Sequence, residues 1–177
     1  MNTQNAVKTH FFLMILMFVS SVSKSQTAST FKLISSAFED GKPIPAKYTC
    51  DSLNISPPLS WMGIPQKTKS FAIIMDDPDA PMGTWVHWVI YNIPGTVTSL
   101  EEKLSVQKIK ATEGLNSWNK KGYNGPCPPY GTHQYNFKLF ALDETLTSKD
   151  GMTKADLLEA LKGHILSETT LNGLFRN

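Results

Sequence analysis

The stretch IIMDDPDAPMGTWVHWVIYNIPG, residues 73–95, decides the fold of this chain. Two apolar runs that overlap it, residues 70–74 and 85–93, are rich in the β-branched and aromatic residues that favour strands. The prolines between the runs and the Pro94-Gly95 pair after them are typical of turns. The stretch therefore predicts two buried strands joined by an acidic turn, with the titratable ring of His87 inside the second strand.

Short strand signals separated by turn signals continue along most of the chain. Residues 133–143, HQYNFKLFALD, alternate between apolar and polar side chains, and prolines and glycines cluster in GKPIP, SPPL and GPCPPYG. Such spacing is typical of an all-β sandwich or barrel.

The tail follows a helical pattern instead. Residues 153–166, TKADLLEALKGHIL, put four apolar side chains on one helical face: Leu157, Leu158, Leu161 and Ile165. Thr153 can cap this helix, and Asp156 three residues later completes a capping box. Asn172-Gly173 then ends the region. We predict a β-core with a packed C-terminal helix.

The N-terminus has the features of a cleavable secretory signal. Lys8 and His10 precede the apolar run FFLMILMFV, residues 11–19, and small residues follow at Ser23 and Ser25. A membrane-spanning helix needs about 20 apolar residues, so this run is too short to be one. We predict a signal peptide over residues 1–25, one domain over residues 26–177, and a periplasmic or secreted protein that is soluble and not integral to the membrane. A buried N-terminal helix is the alternative.

Charge argues against one class of partner. Loss of residues 1–25 removes two of the 17 basic residues, Lys8 and Lys24, and none of the 15 acidic ones, so the net charge falls from +2 to zero. Nucleic-acid binding depends on a basic surface that releases counterions. We therefore expect no nucleic-acid partner.

The two cysteines, Cys50 and Cys127, belong to a chain that is expected to be exported. Oxidising compartments favour their pairing, so we predict a Cys50–Cys127 disulfide, with two free thiols as the alternative.

Two histidines near strand starts suggest a binding site at one end of the core. Because side chains alternate across a strand, the second strand is predicted to carry one shared face: Trp85, His87, Val89, Tyr91 and Ile93. The third strand likewise carries a second face: His133, Tyr135, Phe137, Leu139 and Ala141. Binding residues of a sandwich usually lie at such a rim, where loops converge.

The loops that lead into these strands favour an anion as the ligand. DDPDAP precedes His87 and GPCPPYGT precedes His133. Prolines stiffen such loops, and their few backbone amides can form an anion cradle. A carboxylate from Asp77 beside a histidine would raise the pKa of that histidine. The pattern indicates a site for a small oxyanion such as phosphate or carboxylate.

Other interpretations stay open. The Asp-Pro-Asp sequence can be only a turn, a histidine on an apolar face can be a hydrogen-bonded core residue, and His164 is assigned to this structural class. The sequence contains no G-x-S-x-G, G-x-x-x-x-G-K-[ST], G-x-G-x-x-G or H-E-x-x-H motif. The enzymatic alternatives are zinc held by Asp77, His87, Cys127 and His133, or a Cys127 nucleophile with His133 as its base. A disulfide would exclude the second of these.

At these residues the chain resembles the phosphatidylethanolamine-binding protein (PEBP) family, in particular its bacterial Raf kinase inhibitor-like branch. The matching segments, in the family's order, are CDSLNISPPLSW, DDPDAP, WVHWVIYNIPG, GPCPPYGTHQY, LFALD and the tail GHIL. Together they span nearly all of residues 26–177. There are two departures, Gln134 in place of the common arginine of HRY and Ser52 in place of the glycine of CDG.

The resemblance implies an antiparallel Greek-key β-sandwich with a C-terminal helix and a small anion-binding surface cavity. The residues implied in that cavity are Asp77, Pro81, Trp85, His87, Gly125, Cys127 and His133, with the loop from Gly125 to Pro129 supplying backbone amides. A cis peptide bond at Ala80–Pro81 is also implied.

We therefore expect a non-enzymatic binding protein without metal or cofactor, whose ligand is phosphate, a phosphoryl head group or a carboxylate. The alternative is an inhibitor or interaction protein that acts on a protease or kinase through the pocket loops.

Overall fold

Strands dominate the structure, a computed structural model that describes residues 30–147 and 149–177. The predicted signal peptide, residues 1–25, lies outside the described residues. In chain order the elements are β1 (Lys32–Ile34), β2 (Lys42–Pro43), a 3-10 turn (Ala46–Tyr48), β3 (Leu59–Met62), β4 (Ser70–Asp77), β5 (Trp85–Pro94), β6 (Ser99–Leu100), α1 (Val106–Ile109), β7 (Thr112–Glu113), β8 (Thr132–Leu142), α2 (Lys154–Ala160) and β9 (Ile165–Arg176).

The strands form two sheets that pack face to face. The larger sheet has the order β2-β9-β8-β4-β5-β7, and the smaller has the order β1-β3-β6. Every pair is antiparallel except β2 with β9, which is parallel. Trp61 of the small sheet meets Phe71 of the large sheet edge to face, with ring centroids 5.1 Å apart. The predicted sandwich is confirmed.

The large sheet is covered on both faces. One face packs against the small sheet, and the other packs against α2 and the segment before it through Leu146, Met152, Leu157 and Leu161. All eight residues of β4 are buried as a result. A strand buried on both faces reads as a continuous apolar run rather than an alternating one, which is the pattern of residues 70–75.

Strand β5 departs from regular alternation. It contains one extra residue relative to β4 at two points, near His87 and near Asn92. Each extra residue changes the face on which the following side chains lie. The predicted shared face of residues 85–93 is therefore wrong, because Val89 and Tyr91 pack toward α2 whereas Ile93 packs between the sheets.

The tail was predicted correctly only in its first half. The Thr153–Asp156 capping box is present, and Leu157 and Leu161 are buried. The helix stops before Gly163, whose φ of +82° is left-handed, and Leu158 is 39% exposed. The expected end at Asn172-Gly173 is wrong, because these residues continue β9, which pairs with β8 along its whole length.

A buried charge cluster attaches α2 to the large sheet. The fully buried carboxylate of Asp76 accepts from Lys138 at 3.0 Å and from Lys154, the first residue of α2, at 2.5 Å. Asp76 and Asp77 are consecutive on a strand, so their side chains lie on opposite faces. Asp76 therefore holds the helix while Asp77 is directed toward the space between the sheets.

Candidate functional site

A cavity of about 230 Å³ lies at the end of the sandwich where β4 ends and β5 and β8 begin. We refer to it as the His87 cavity. Its lining residues are Asp77, Ala80, Pro81, Met82, Trp85, His87, Trp118, Cys127, Pro129 and His133. Six of the seven residues expected at the site are among them, and Gly125 is not.

An extra residue in β5 directs His87 into this cavity. Asp77 pairs with Trp85 and Asp76 with Val86, but Met75 pairs with Trp88, so His87 has no partner in β4. Extra residues of this kind often occur beside binding sites, where they re-aim a side chain.

The ring of His133 is held by a buried carboxylate. Its Nδ1 lies 2.8 Å from Oδ2 of Asp77, and the two residues are only 5% and 3% exposed. The other oxygen of Asp77 accepts from the amide of Asp79 at 2.8 Å, and Asp79 accepts from the amide of Gln134. The Asp-Pro-Asp sequence is thus a turn with carboxylate–amide bonds, and it also orients a histidine.

The ring of His87 is held by backbone and aromatic groups. Its Nδ1 lies 2.7 Å from the carbonyl oxygen of Asn124, and its ring meets Trp118 and Tyr135 edge to face at 5.1 and 5.2 Å. Burial lowers the pKa of His87, although the Asn124 carbonyl and the Asp77 carboxylate act in the opposite direction. The Asp77 carboxylate thus acts on the pKa of His87 in the expected direction, but desolvation outweighs it and the net pKa is lowered.

The loop over residues 125–129 is braced from behind. The disulfide predicted between Cys50 and Cys127 is present, with Cα atoms 5.5 Å apart. The Gly125 amide donates to Oδ1 of Asn54 at 2.7 Å, and the Cys50 amide donates to the carbonyl of Pro126.

This bracing leaves less of the expected amide cradle than the sequence suggested. Three of residues 125–129 are prolines without an N–H, and the Gly125 amide is already bonded to Asn54. The amide that remains belongs to Cys127, close to the buried hydroxyl of Tyr135. No group among the described residues lies at the distance and angle of a hydrogen bond to that hydroxyl. Burial raises the pKa of Tyr135.

Trp118 is a lining residue that the sequence analysis missed. It packs edge to face on Trp85 at 5.4 Å and on His87. Its loop is folded by Asn116, whose side-chain oxygen accepts from the amides of Trp118 and Lys120. No strand alternation or motif marked Trp118, because its position depends on this local turn.

Two further expectations concern single residues. None of the described peptide bonds is cis, so the expected cis bond at Ala80–Pro81 is wrong. His164 lies at the opposite end of β8 from His133, in a turn rather than in a helix, with its ring nitrogens 3.0 Å from Asp143 and 3.4 Å from Glu144. Within residues 30–147 and 149–177, no group of three or more histidine, cysteine, aspartate or glutamate residues is arranged to hold a metal ion.

Comparison with known proteins gives the family. A family model described as phosphatidylethanolamine-binding protein matches residues 34–176. A UPF0098 protein of Methanothermobacter thermautotrophicus is 51% identical over 143 residues, covering 79% of this chain and 95% of its own length. A UPF0098 protein of Chlamydia muridarum is 44% identical over 149 residues, covering 81% of this chain and 97% of its own.

Solved structures agree with this. The crystal structure of a putative PEBP homologue from Chlamydia trachomatis has a TM-score of 0.79 and 42% identity, covering 83% of this chain and 97% of that one. Escherichia coli YbcL, described as a member of the mammalian PEBP family, has a TM-score of 0.77 and 29% identity, covering 84% of this chain and 99% of that one. The chain belongs to the phosphatidylethanolamine-binding protein family, and membership supports a ligand-binding protein. Among the described helices, none is long and apolar enough to cross a bilayer.

Proposed function

We propose that this protein is exported and binds a small anion, namely phosphate, a phosphoryl head group or a carboxylate, in the His87 cavity without catalysing a reaction. The observation that carries the proposal is that His87, His133 and Asp77, brought from three strands, line one cavity. In each ring Nδ1 already has an acceptor, so Nε2 is the nitrogen left for a ligand. A protonated Nε2 would donate a charge-assisted hydrogen bond to an anion oxygen.

The size of the cavity supports a ligand with a short organic part. A water molecule occupies about 30 Å³ of liquid volume, so 230 Å³ is more than a bare oxyanion fills. Pro81, Trp85 and Trp118 are the apolar and aromatic surfaces available to the remainder of the ligand.

Two observations count against the enzymatic alternatives. Cys127 is bonded to Cys50, so it has no thiol with which to act as a nucleophile. Asp77 is engaged with His133 and with the Asp79 amide, as expected of a carboxylate that orients a ring rather than one that coordinates zinc.

Histidine NMR provides a direct test, because the mature chain would contain three histidines. We expect the ring resonances of His87 and His133 to move on titration with phosphate and those of His164, some 30 Å away along β8 by the strand rise, to stay constant. His87→Gln with His133→Gln should abolish the response, and His164→Gln should leave it intact. If no ring responds up to about 50 mM phosphate, a range of very weak binding, the proposal is wrong.

An inhibitor or interaction protein for a protease or kinase is the second candidate, and the rim of the cavity favours it. Met82 is 87% exposed and Tyr130, next to Pro129, is 67% exposed, which is unusual for large apolar side chains clustered near a cavity. Capture of a partner that survives His87→Gln with His133→Gln, but is lost with Met82→Ser and Tyr130→Ser, would favour this candidate over the first.

Export has its own test. The disulfide supports an oxidising compartment. The intact mass of protein recovered from the compartment should correspond to a chain that begins at residue 26. An intact N-terminus in a reducing compartment would contradict export without affecting the ligand.

A further inference from the structure

A second cavity, of about 210 Å³, shares no lining residue with the first. We refer to it as the Trp88 cavity. Its lining residues are Asn54, Ile55, Ser56, Trp88, Lys103, Leu104, Glu113, Gly122 and Tyr123. The two cavities are neighbours along β5, because His87 lines the first and the next residue, Trp88, lines the second.

The indole N–H of Trp88 is a buried donor whose neighbouring acceptor is the Glu113 carboxylate. Trp88 is 1% exposed, its ring packs edge to face on Tyr123 at 5.7 Å, and no described group accepts from its Nε1 in hydrogen-bond geometry. The Glu113 carboxylate lies close enough to this N–H that their interaction lowers the pKa of Glu113, against the larger effect of burial. The Nε1 atom itself is sealed from solvent, so a ligand in the cavity meets Glu113 rather than the indole N–H.

The cavity also contains one carboxylate and one ammonium group that are not paired with each other. Glu113 is half-buried, and burial raises its pKa. The nearby Lys121 forms its ion pair with Asp150 at 2.5 Å rather than with Glu113. Lys103, with a left-handed φ of +55°, makes no ion pair with any described residue.

Two neutral side chains add donors at fixed positions. The hydroxyl oxygen of Ser56 accepts from the amide of Leu104 at 3.0 Å, which leaves its O–H to donate. The side-chain oxygen of Asn54 accepts from the Gly125 amide, which leaves its NH₂ group. Donors therefore predominate, and Glu113 is the charged acceptor.

We propose that the Trp88 cavity binds a small zwitterion that carries a carboxylate and an ammonium group, such as an α-amino acid. The ligand carboxylate pairs with Lys103 and accepts from the Ser56 hydroxyl. The ligand ammonium pairs with Glu113 beside the Trp88 and Tyr123 rings, where a cation is also attracted to an aromatic face. A cavity of 210 Å³ accommodates an amino acid of modest size.

Indole NMR resonances test this site without reference to the first. The four tryptophans give four indole N–H signals, and Trp88→Phe assigns the relevant one. Glycine and L-serine should move the Trp88 signal saturably, whereas Trp61, which also has a buried Nε1, should not move. Acetate and methylammonium, each with one of the two charges, should bind at least about tenfold more weakly, which is the effect of losing one charged hydrogen bond.

Variants separate the two charges. Glu113→Gln and Lys103→Gln should each raise the Kd for glycine by about tenfold or more, while Lys108→Gln, an exposed lysine in α1 outside the cavity, should leave it unchanged. The His87→Gln with His133→Gln variant should still bind glycine, so failure of the anion proposal does not remove this one. If the Trp88 signal does not move at about 50 mM glycine, a range of very weak binding, only water fills the cavity and the proposal is wrong. Acetate binding as tightly as glycine would also overturn it.

Discussion

At the scale of single residues, the two histidines of the His87 cavity share one arrangement. Each ring uses Nδ1 to contact an acceptor, Asn124 O for His87 and Asp77 Oδ2 for His133. In the neutral form the proton is therefore on Nδ1, and Nε2 is an acceptor that repels an anion. A protonated ring offers its Nε2–H to an anion oxygen, and at His87, whose pKa is lowered by burial, this requires proton uptake.

Anion affinity should therefore rise as the pH falls. Burial lowers the pKa of His87, so the ring is neutral at pH 8 and takes up a proton only when acid or an anion favours it. Sulfate is a suitable probe because its own charge does not change between pH 8 and pH 5.5. We expect its Kd, measured by calorimetry, to fall by up to about tenfold per pH unit for each proton taken up.

The free protein should respond to pH in the opposite sense. Because the pKa of His87 is lower in the folded protein than in the unfolded chain, protonation of His87 favours unfolding. The free energy of unfolding should therefore fall as the pH falls below about 6.5, the pKa of a histidine in an unfolded chain. His87→Gln should remove this acid destabilisation and flatten the pH dependence of sulfate binding. A sulfate Kd that is constant or rises on acidification would contradict the proton-linked arrangement.

His133 could be recognised from the sequence because it lies on a regular strand, where alternation predicts the face. Asp77 was recognised from the acidic turn before His87, and it lies at the end of β4. His87 was expected on the correct side, but through a pattern that is wrong for Val89 and Tyr91 on the same strand. The extra residue that directs His87 results from pairing with β4, and it leaves no signal in the sequence of β5 alone. Trp118 depends on a turn organised by Asn116 and was not predictable from alternation either.

At the scale of elements, the loop over residues 125–129 is positioned by close contact with the segment around Tyr48. A Cβ atom on Gly125 would lie 2.2 Å from the Tyr48 carbonyl oxygen and 2.9 Å from the Thr49 Cα, both of them backbone atoms that cannot easily move. Gly125 is therefore required for close approach. The preceding carbonyl, that of Asn124, is the acceptor for His87.

Gly125→Ala should both destabilise the protein and weaken anion binding. Overpacking of this kind destabilises by about 1–3 kcal/mol, and displacement of Asn124 would release the His87 ring. The matched control is Gly131→Ala, where φ is +74° and no atom lies within 4 Å of the added Cβ, so only the left-handed strain of about 1 kcal/mol applies. Urea unfolding with sulfate titration measures both effects. Equal effects on sulfate affinity from the two variants would contradict this role of Gly125.

The tail illustrates where element prediction from sequence stops. Helical spacing and a capping box identified α2, because these signals are local. Residues 165–176, ILSETTLNGLFR, are rich in polar side chains and do not resemble a core strand, yet they form the longest strand among the described residues. They do so because β8 presents a full-length edge to pair with, and such long-range pairing is not encoded in local propensity.

At the scale of the whole molecule, the Cys50–Cys127 disulfide joins two segments that are 77 residues apart in the chain. The segment that contains Cys127 and Pro129 lines the His87 cavity. A cross-link over such a loop stabilises by restricting the unfolded chain, typically by about 2–4 kcal/mol. The disulfide was predictable from the expected compartment, whereas its position beside the His87 cavity was implied only by the family resemblance, which placed Cys127 there.

Reductant should therefore lower the free energy of unfolding by about 2–4 kcal/mol, observed as a lower urea midpoint. Because Cys127 lines the cavity, sulfate affinity should fall as well. The double variant Cys50→Ser with Cys127→Ser is the control, since its midpoint should already be lowered and should not respond to reductant. An unchanged midpoint in the reduced wild-type protein would show that the two segments are held by their other contacts alone.

The unpaired position in β5 has a consequence for how such proteins can change over time. Without His87, Trp85, Val86 and Trp88 would stand opposite Asp77, Asp76 and Met75 in unbroken succession. Deletion of this one residue would remove the imidazole from the cavity, and its insertion would restore the imidazole. The pairing of β4 with β5 on either side would keep its register in both cases. A lineage could lose its ligand in this way while retaining the architecture.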